Sequence, residues 1–377
     1  MADEREEIRG RLPIETLVGE SVALKRTGRN LSGLCPFHKE KTPSFIVSPE
    51  RGTFHCFSCG AGGDIFRFHM LINKVEFPDA LRALAARTGV ELDPETARRK
   101  AVESRSYEVL QAVSLYFQQA LAAPAGAQAR RYLEVRGLRR ETIERFGIGF
   151  LPDWGEGLRR LMPERGVSEQ DLIDAAVLHP SEQGREPFCS LHGRVIFPIR
   201  DMQGRVCGFG GRVLSEEKPK YLNSRQSAIF NKSTVLYTID RAAEAIRAAG
   251  EAVIVEGYMD ALRAHQEGFA NVVASLGTAI TAQQLGLLAR LKAREAETPL
   301  RVVLALDADP AGARAAAEAG VRAVIELRPA GGGAPTRLGG PNRRPLDLHV
   351  ATLPEGRDPD EVIATDPAAW RAAIAGA

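Results

Sequence analysis

The chain has 377 residues, 44% hydrophobic and 26% charged, with a formal net charge of +2 at pH 7. This admits two or three packed domains, excludes a disordered chain, and requires any nucleic-acid partner to be held by a local basic surface rather than by a global field. No apolar run approaches a membrane span, and the acidic start Met1-Ala-Asp-Glu-Arg-Glu-Glu is no secretory leader, which predicts a cytoplasmic protein without a membrane partner.

Five cysteines are too few and too irregular for a disulfide framework and point to metal. After a short helical segment over Ile14 to Val18 comes Cys35-Pro36-Phe37-His38, then seventeen residues, then Cys56-Phe57-Ser58-Cys59. Each pair has the two-residue gap that aims both side chains of a tight turn at one ion, and four such ligands define one structural, tetrahedral Zn²⁺. Strand-like Ser44 to Ser48 and Gly52 to His55 flank a turn at Pro49 to Gly52, which makes the site a zinc ribbon. Gly60 to Gly63 then bends the chain into a helix capped by Asp64. Phe45, Phe54 and Phe57, interleaved with Lys39, Lys41 and Arg51, suit either single-stranded bases and their phosphates or the core of a small ribbon.

Residues 92–107 are charged and lack apolar periodicity, so they read as a linker, set at 101–110 between domains. Helical and mixed segments follow, around Tyr116, Phe117, Leu121, Tyr132 and Arg136 to Phe150. From Arg194 to Lys232 the cations Arg194, Arg200, Arg205, Arg212, Lys218, Lys220, Arg225 and Lys232 face only Asp201, Glu216 and Glu217. The strand-like runs Arg194 to Ile199 and Val206 to Leu214 present them on a sheet, as a solvated face or a phosphate track. Cys189 and Cys207 lack ligand-spaced partners and read as core thiols.

In the last third, strands alternate with helices, which implies parallel pairing and brings strand ends to one edge. Ala252 to Val255 ends in Glu256-Gly257-Tyr258-Met259-Asp260, Asn271 to Gly277 precedes a helix from Thr281, and Leu348 to Ala351 leads to Asp358-Pro359-Asp360. Val302 to Leu306 ends in Asp307-Ala308-Asp309-Pro310. Asp309 reads equally as an N-cap, Asp360 as the cap of a helix at Glu361 to Ile363, and Asp260 as a solvated helix residue. Asp307 has no capping role, and an acid ending an apolar strand is costly to desolvate unless paired or metal-bound. As a set on one sheet edge, Glu256, Asp307, Asp309, Asp358 and Asp360 would repel one another unless divalent cations compensate, and Mg²⁺ suits such oxygens.

The combination resembles the bacterial replicative primase family (DnaG type) over nearly the whole chain. Cys35-x₂-His38 and Cys56-x₂-Cys59 followed by Gly-Ala-Gly-Gly-Asp resemble its zinc-binding domain, and Val206 to Leu214, Lys220 to Ser224 and Ile229 to Lys232 resemble its basic core motifs. Glu256 to Asp260, Asp307-Ala308-Asp309 and Asp358-Pro359-Asp360 resemble the TOPRIM acid set. The implied architecture is multidomain, α+β and α/β: a zinc-binding domain over 1–100, a mixed basic subdomain over 111–247 and a TOPRIM fold with a mainly parallel sheet over 248–377.

The implied activity is synthesis of short RNA primers from NTPs on a single-stranded DNA template, with one or two Mg²⁺, or Mn²⁺ in their place. By resemblance, Asp307, Asp309 and Asp358 hold metal, Asp360 supports it, and Glu256 orients or deprotonates near the nucleophile. Arg145, Arg194, Arg212, Lys220, Asn223 and Lys232 match positions that contact template or NTP. A replicative helicase is the implied partner, although the chain stops at Ala377, before the usual helicase-contacting domain. Many relatives carry Gly where Ala308 stands, and Gly331 to Pro345 reads as a longer excursion than usual. No strand-cleaving tyrosine domain follows the acids, which excludes a topoisomerase, and no Gly-Lys pair occurs, which excludes a fused helicase. The rival readings are a non-catalytic, zinc-stabilised single-strand-binding module and a metal-dependent nuclease, distinguished by product.

Overall fold

The computed structural model describes residues 4–90, 94–181, 186–277, 280–291, 298–306, 346–354 and 356–377. The chain divides into two compact units, Met1–Lys100 and Ala101–Ala377.

The first unit is built on a five-stranded antiparallel sheet in the order β1 (Lys25–Thr27), β2 (Asn30–Gly33), β3 (Phe45–Ser48), β4 (Thr53–Cys56) and β5 (Gly62–Gly63). Side chains alternate across the pleat, so Phe45, Val47, Phe54 and Cys56 turn inward. The Phe45 and Phe54 rings stack at 5.2 Å, with Phe37 and Phe68 closing around them. These two aromatics therefore form the ribbon's core, while Phe57 is exposed. The helix Ile65–Asn73 starts at Asp64, whose Oδ1 accepts from the Arg67 N–H at 3.0 Å, as an N-cap does.

The segment read as a linker, 101–110, is helical instead, within Pro94–Ala122. Its charges find partners out of reach of a sequence window: Arg105 Nε and Nη2 donate to the two oxygens of Asp171 at 3.1 and 2.9 Å. From there Val109, Leu110, Val113, Tyr116 and Phe117 are buried at helical spacing.

The second unit holds two four-stranded sheets. One is antiparallel, in the order β6 (Gly149–Leu151), β7 (Arg194–Arg200), β8 (Val206–Val213), β9 (Tyr221–Asn223). The other is parallel, made of β10 (Glu251–Val255), β11 (Val272–Ala274), β12 (Leu300–Leu304) and β13 (Leu346–Val350) in the order β11-β10-β12-β13. Helices Tyr258–Gln266 and Ala282–Ala289 lie in the β10–β11 and β11–β12 connections. Both faces of β10 are covered: Val253 and Val255 pack with Phe197, Tyr258 and Leu262, and Ala252 and Ile254 with Ile246 and Leu285. This is why the strand reads as an unbroken apolar run. Bonds from Ala305 N to Ile254 O (2.9 Å), Ser275 N to Val255 O (3.0 Å) and Ala351 N to Leu304 O (2.8 Å) carry the ladders past the strands, so all four finish on one rim. Among the described residues no helix is long and apolar enough to cross a membrane.

His265, in the helix after β10, is buried with Nε2 2.8 Å from the Val272 carbonyl oxygen and its ring edge-on to Phe146. Burial pushes its pKa down to about 4 from 6.5. Below pH 6.5 the unfolded chain binds a proton that the folded protein refuses until about pH 4, so stability falls as pH falls through that window. Between pH 7 and 5 the loss is about 2 kcal/mol, and urea unfolding of His265→Gln beside the parent should show that fall missing from the variant.

Candidate active site and zinc centre

The four ligands predicted for zinc converge. Ligand atoms of Cys35, His38, Cys56 and Cys59 all lie within 4.8 Å of one another, and no other described set of three or more such groups does so. The sulfurs of Cys35 and Cys59 are 3.8 Å apart, and His38 Nδ1 is 4.0 Å from Cys56 Sγ. Two sulfurs on a tetrahedral Zn²⁺ at about 2.3 Å each would be about 3.8 Å apart, so both donor set and spacing fit that ion. The knuckles are preset by backbone N–H groups turned toward sulfur, Phe37 N to Cys35 at 3.4 Å and Cys59 N to Cys56 at 3.5 Å.

The acid edge is long-range. Glu256 is the first residue beyond β10, and Asp307 and Asp309 lie outside the described residues, as does the Gly331 to Pro345 excursion. Asp260 is not a solvated helix residue: it is buried, accepts from Gly257 N at 3.0 Å and accepts from Asp360 N at 3.2 Å. It thus ties the Glu256 loop to the helix Pro359–Thr365. Asp358 stands at that helix's N-cap position, while Asp360 lies within the first turn and receives Arg136 Nη2 at 2.6 Å. Asp260 is the described link between the segment that begins at Glu256 and the one that holds Asp358 and Asp360, and the described acids do not by themselves close into a set like the zinc ligands. Sequence reasoning missed Arg136, whose partner is 224 residues away. It undervalued Asp260, although an acid three residues past the residue preceding a helix is the spacing at which a side chain reaches back to a free N–H.

The cations divide between faces. Arg212 pairs with Val195 and Arg194 with Val213, so the two arginines point to opposite sides of the antiparallel sheet. Arg212 shares its face with Tyr221, Asn223 and the parallel sheet, its guanidinium 5.2 Å from the Tyr132 ring centre and 5.0 Å from that of Tyr221. Arg194 is buried and donates to the carbonyls of Pro219 (3.0 Å) and Lys220 (3.2 Å), and burial lowers its pKa. Lys220 is exposed, and Lys232 is half-buried with its pKa lowered by desolvation. Arg145 and Arg241 both lie over the Phe146 ring, which packs on His265 in the last turn of helix Tyr258–Gln266. Glu256 precedes the first turn, so Arg145 sits at the far end of that helix. Cys189 and Cys207 are buried thiols whose pKa values burial raises to about 12.

Tyr258 joins the two sheets. It stacks on Phe197 at 4.8 Å, and its hydroxyl donates to Asn223 Oδ1 at 2.6 Å. It fits only because Gly210 lacks a side chain: a Cβ there would lie 2.1 Å from the Tyr258 hydroxyl oxygen.

Residues 2–100 match the CHC2 zinc finger, 116–243 the N-terminal domain of the DNA primase catalytic core, and 250–328 the Toprim domain. The DNA primase of Deinococcus radiodurans is 43% identical over 362 residues, 96% of this chain and 58% of that protein. The crystal structure of the Aquifex aeolicus primase, with its zinc-binding and RNA polymerase domains, is 32% identical with a TM-score of 0.61, covering 100% of this chain and 86% of that one. The chain belongs to the DnaG-type primase family. A DnaG primase catalytic domain solved with single-stranded DNA is 35% identical with a TM-score of 0.60, over 74% of this chain and 80% of that one. The chain thus spans a little under three fifths of the length of the Deinococcus primase. The primase zinc ribbon and the Toprim sheet are the two elements already described, and a Toprim acid edge is a site for divalent metal.

If Gly210 is what admits Tyr258, Gly210→Ala should lower stability by about 1–3 kcal/mol through overpacking, read by urea unfolding.

Proposed function

We propose that this chain performs the polymerising step of a DNA primase, making short RNA primers on single-stranded DNA from NTPs. The observation that supports it most is the meeting of the Glu256–Asp260 loop and the Asp358–Asp360 helix at the rim of a parallel sheet, beside the face bearing Arg212 and Asn223. In the reaction a ribonucleotide 3′-hydroxyl forms a bond to the α-phosphorus of an incoming NTP, the bond to the β-phosphate oxygen breaks, and pyrophosphate leaves. Glu256 takes or orients the hydroxyl proton. Asp358, with Asp307 and Asp309, offers hard oxygen donors of the kind Mg²⁺ or Mn²⁺ takes, and such ions supply charge neutralisation for the attacking and departing oxygens. Asp360, whose N–H is accepted by Asp260 and whose carboxylate pairs with Arg136, holds the third acid segment against the first.

Arg212 meets phosphate charge near the acids, the exposed Lys220 meets it further along the chain's path, and Asn223 and Lys232 contact the nucleotide. Arg194 acts by fixing the segment before β9, and Arg145 lies on the template path away from the acids. The ribbon reads the template at the start site, with exposed Phe57 as its stacking aromatic. The setting is the cytoplasmic replication fork, beside the replicative helicase.

With single-stranded DNA, labelled NTPs and Mg²⁺, the protein should yield labelled RNA. Glu256→Gln should reduce the rate by about 10²–10⁴-fold with bound zinc unchanged, and Asp307→Asn should likewise reduce it. Equal product from both variants would overturn the assignment, and shortened DNA without new RNA would show a nuclease.

A further inference from the structure

We infer that Glu40 is the positioning residue of the zinc site, setting the tautomer of His38 and linking the two knuckles. Its Oε1 accepts the backbone N–H of Cys35 at 2.8 Å, inside the first knuckle, and that of Ser44 at 3.2 Å. Its Oε2 lies 3.1 Å from His38 Nε2 and accepts the Ser44 hydroxyl, whose oxygen is 3.2 Å from Cys56 Sγ in the second knuckle. One carboxylate therefore reaches three of the four ligand residues, directly or through Ser44.

The imidazole contact carries the chemistry. A neutral imidazole has one N–H donor and one lone pair, and a carboxylate can only accept. Glu40 at Nε2 therefore places the ring proton there and leaves the lone pair on Nδ1, the nitrogen that faces the sulfurs. Partners on the far nitrogen of a metal-binding histidine orient the ring and raise its basicity in this way.

Glu40→Gln divides the two jobs of the side chain. The amide oxygen can still accept from Cys35 N and Ser44 N, so the turn keeps its hydrogen bonds. The amide NH₂ then takes the place of Oε2 and, as a donor, favours the tautomer with its lone pair on Nε2, turned away from the sulfurs.

Competition of the full chain against a zinc chelator reads the consequence. Glu40→Gln should bind zinc about 10–100-fold more weakly than the parent. The same substitution in a His38→Cys background, where no imidazole remains to orient, should bring no further loss. Zinc affinity of Glu40→Gln within twofold of the parent would overturn the inference. So would an equal loss in the His38→Cys background, because Glu40 would then act only by holding the turn, and that comparison decides even if Glu40→Gln alone lowers the folded fraction.

Discussion

The parallel register of β10 with its two neighbours is the constraint on which the rest of the second unit depends. Ile254 stands opposite Leu304, Leu304 opposite Val350, and Val255 opposite Ala274, so the strands run out together. Within β10, Ala252 to Val255 are almost wholly buried, and a charge there would have to be desolvated without a partner. At the carboxyl end of the strand, carboxylates are therefore confined to the first positions beyond it, where Glu256 begins. A single change of register would move that residue relative to the loops after the other strands. The adjoining antiparallel sheet is held to this edge by Tyr258, which follows Glu256 by two residues and occupies the space that Gly210 leaves open.

The two metal-type sites are gathered by opposite means, and this decides how much of each was legible in the sequence. Zinc ligands come from two turns in which Cys35 and His38, or Cys56 and Cys59, are three positions apart, so local spacing alone revealed the donors. The acid edge is assembled by strand order, and its legible part was the strand ends themselves. What stayed hidden is what pairs across long separations. Arg136 with Asp360 spans 224 residues, and Arg105 with Asp171 spans 66, the latter helping to make a helix of a stretch that composition alone reads as linker.

The arginine faces show a subtler limit. The β7–β8 hairpin pairs Arg200 with Val206, and continuing that pairing without interruption would set Arg194 opposite Arg212 on one face. A bulge between Ile199 and Arg200 shifts the register by one residue, and Ile199 pairs with Gly208 instead. Since side chains alternate, a shift of one sends the two arginines to opposite faces. Arg194 is then buried against backbone carbonyls while Arg212 stands between two tyrosine rings on the side of the acids. A row of cations in the sequence is thus separated by one extra residue, Cys207, which no composition or period marks.

Proline makes a similar separation within Asp358-Pro359-Asp360. Pro359 occupies the first helical position, where its fixed φ and missing N–H cost nothing, and it keeps the preceding residue extended. Asp358 accordingly has φ −75° and ψ 158° and makes no side-chain bond to the helix it precedes. Asp360, one residue inside the turn, donates its N–H to Asp260 and binds Arg136 through its carboxylate. Two acids one residue apart therefore meet different electrostatic surroundings. The charge of Asp360 is balanced by a guanidinium of the protein itself, and that of Asp260 is met by two backbone N–H groups, so part of the mutual repulsion of the acid set is relieved without any ion. Asp360 thereby acts as the post that holds the segment in place.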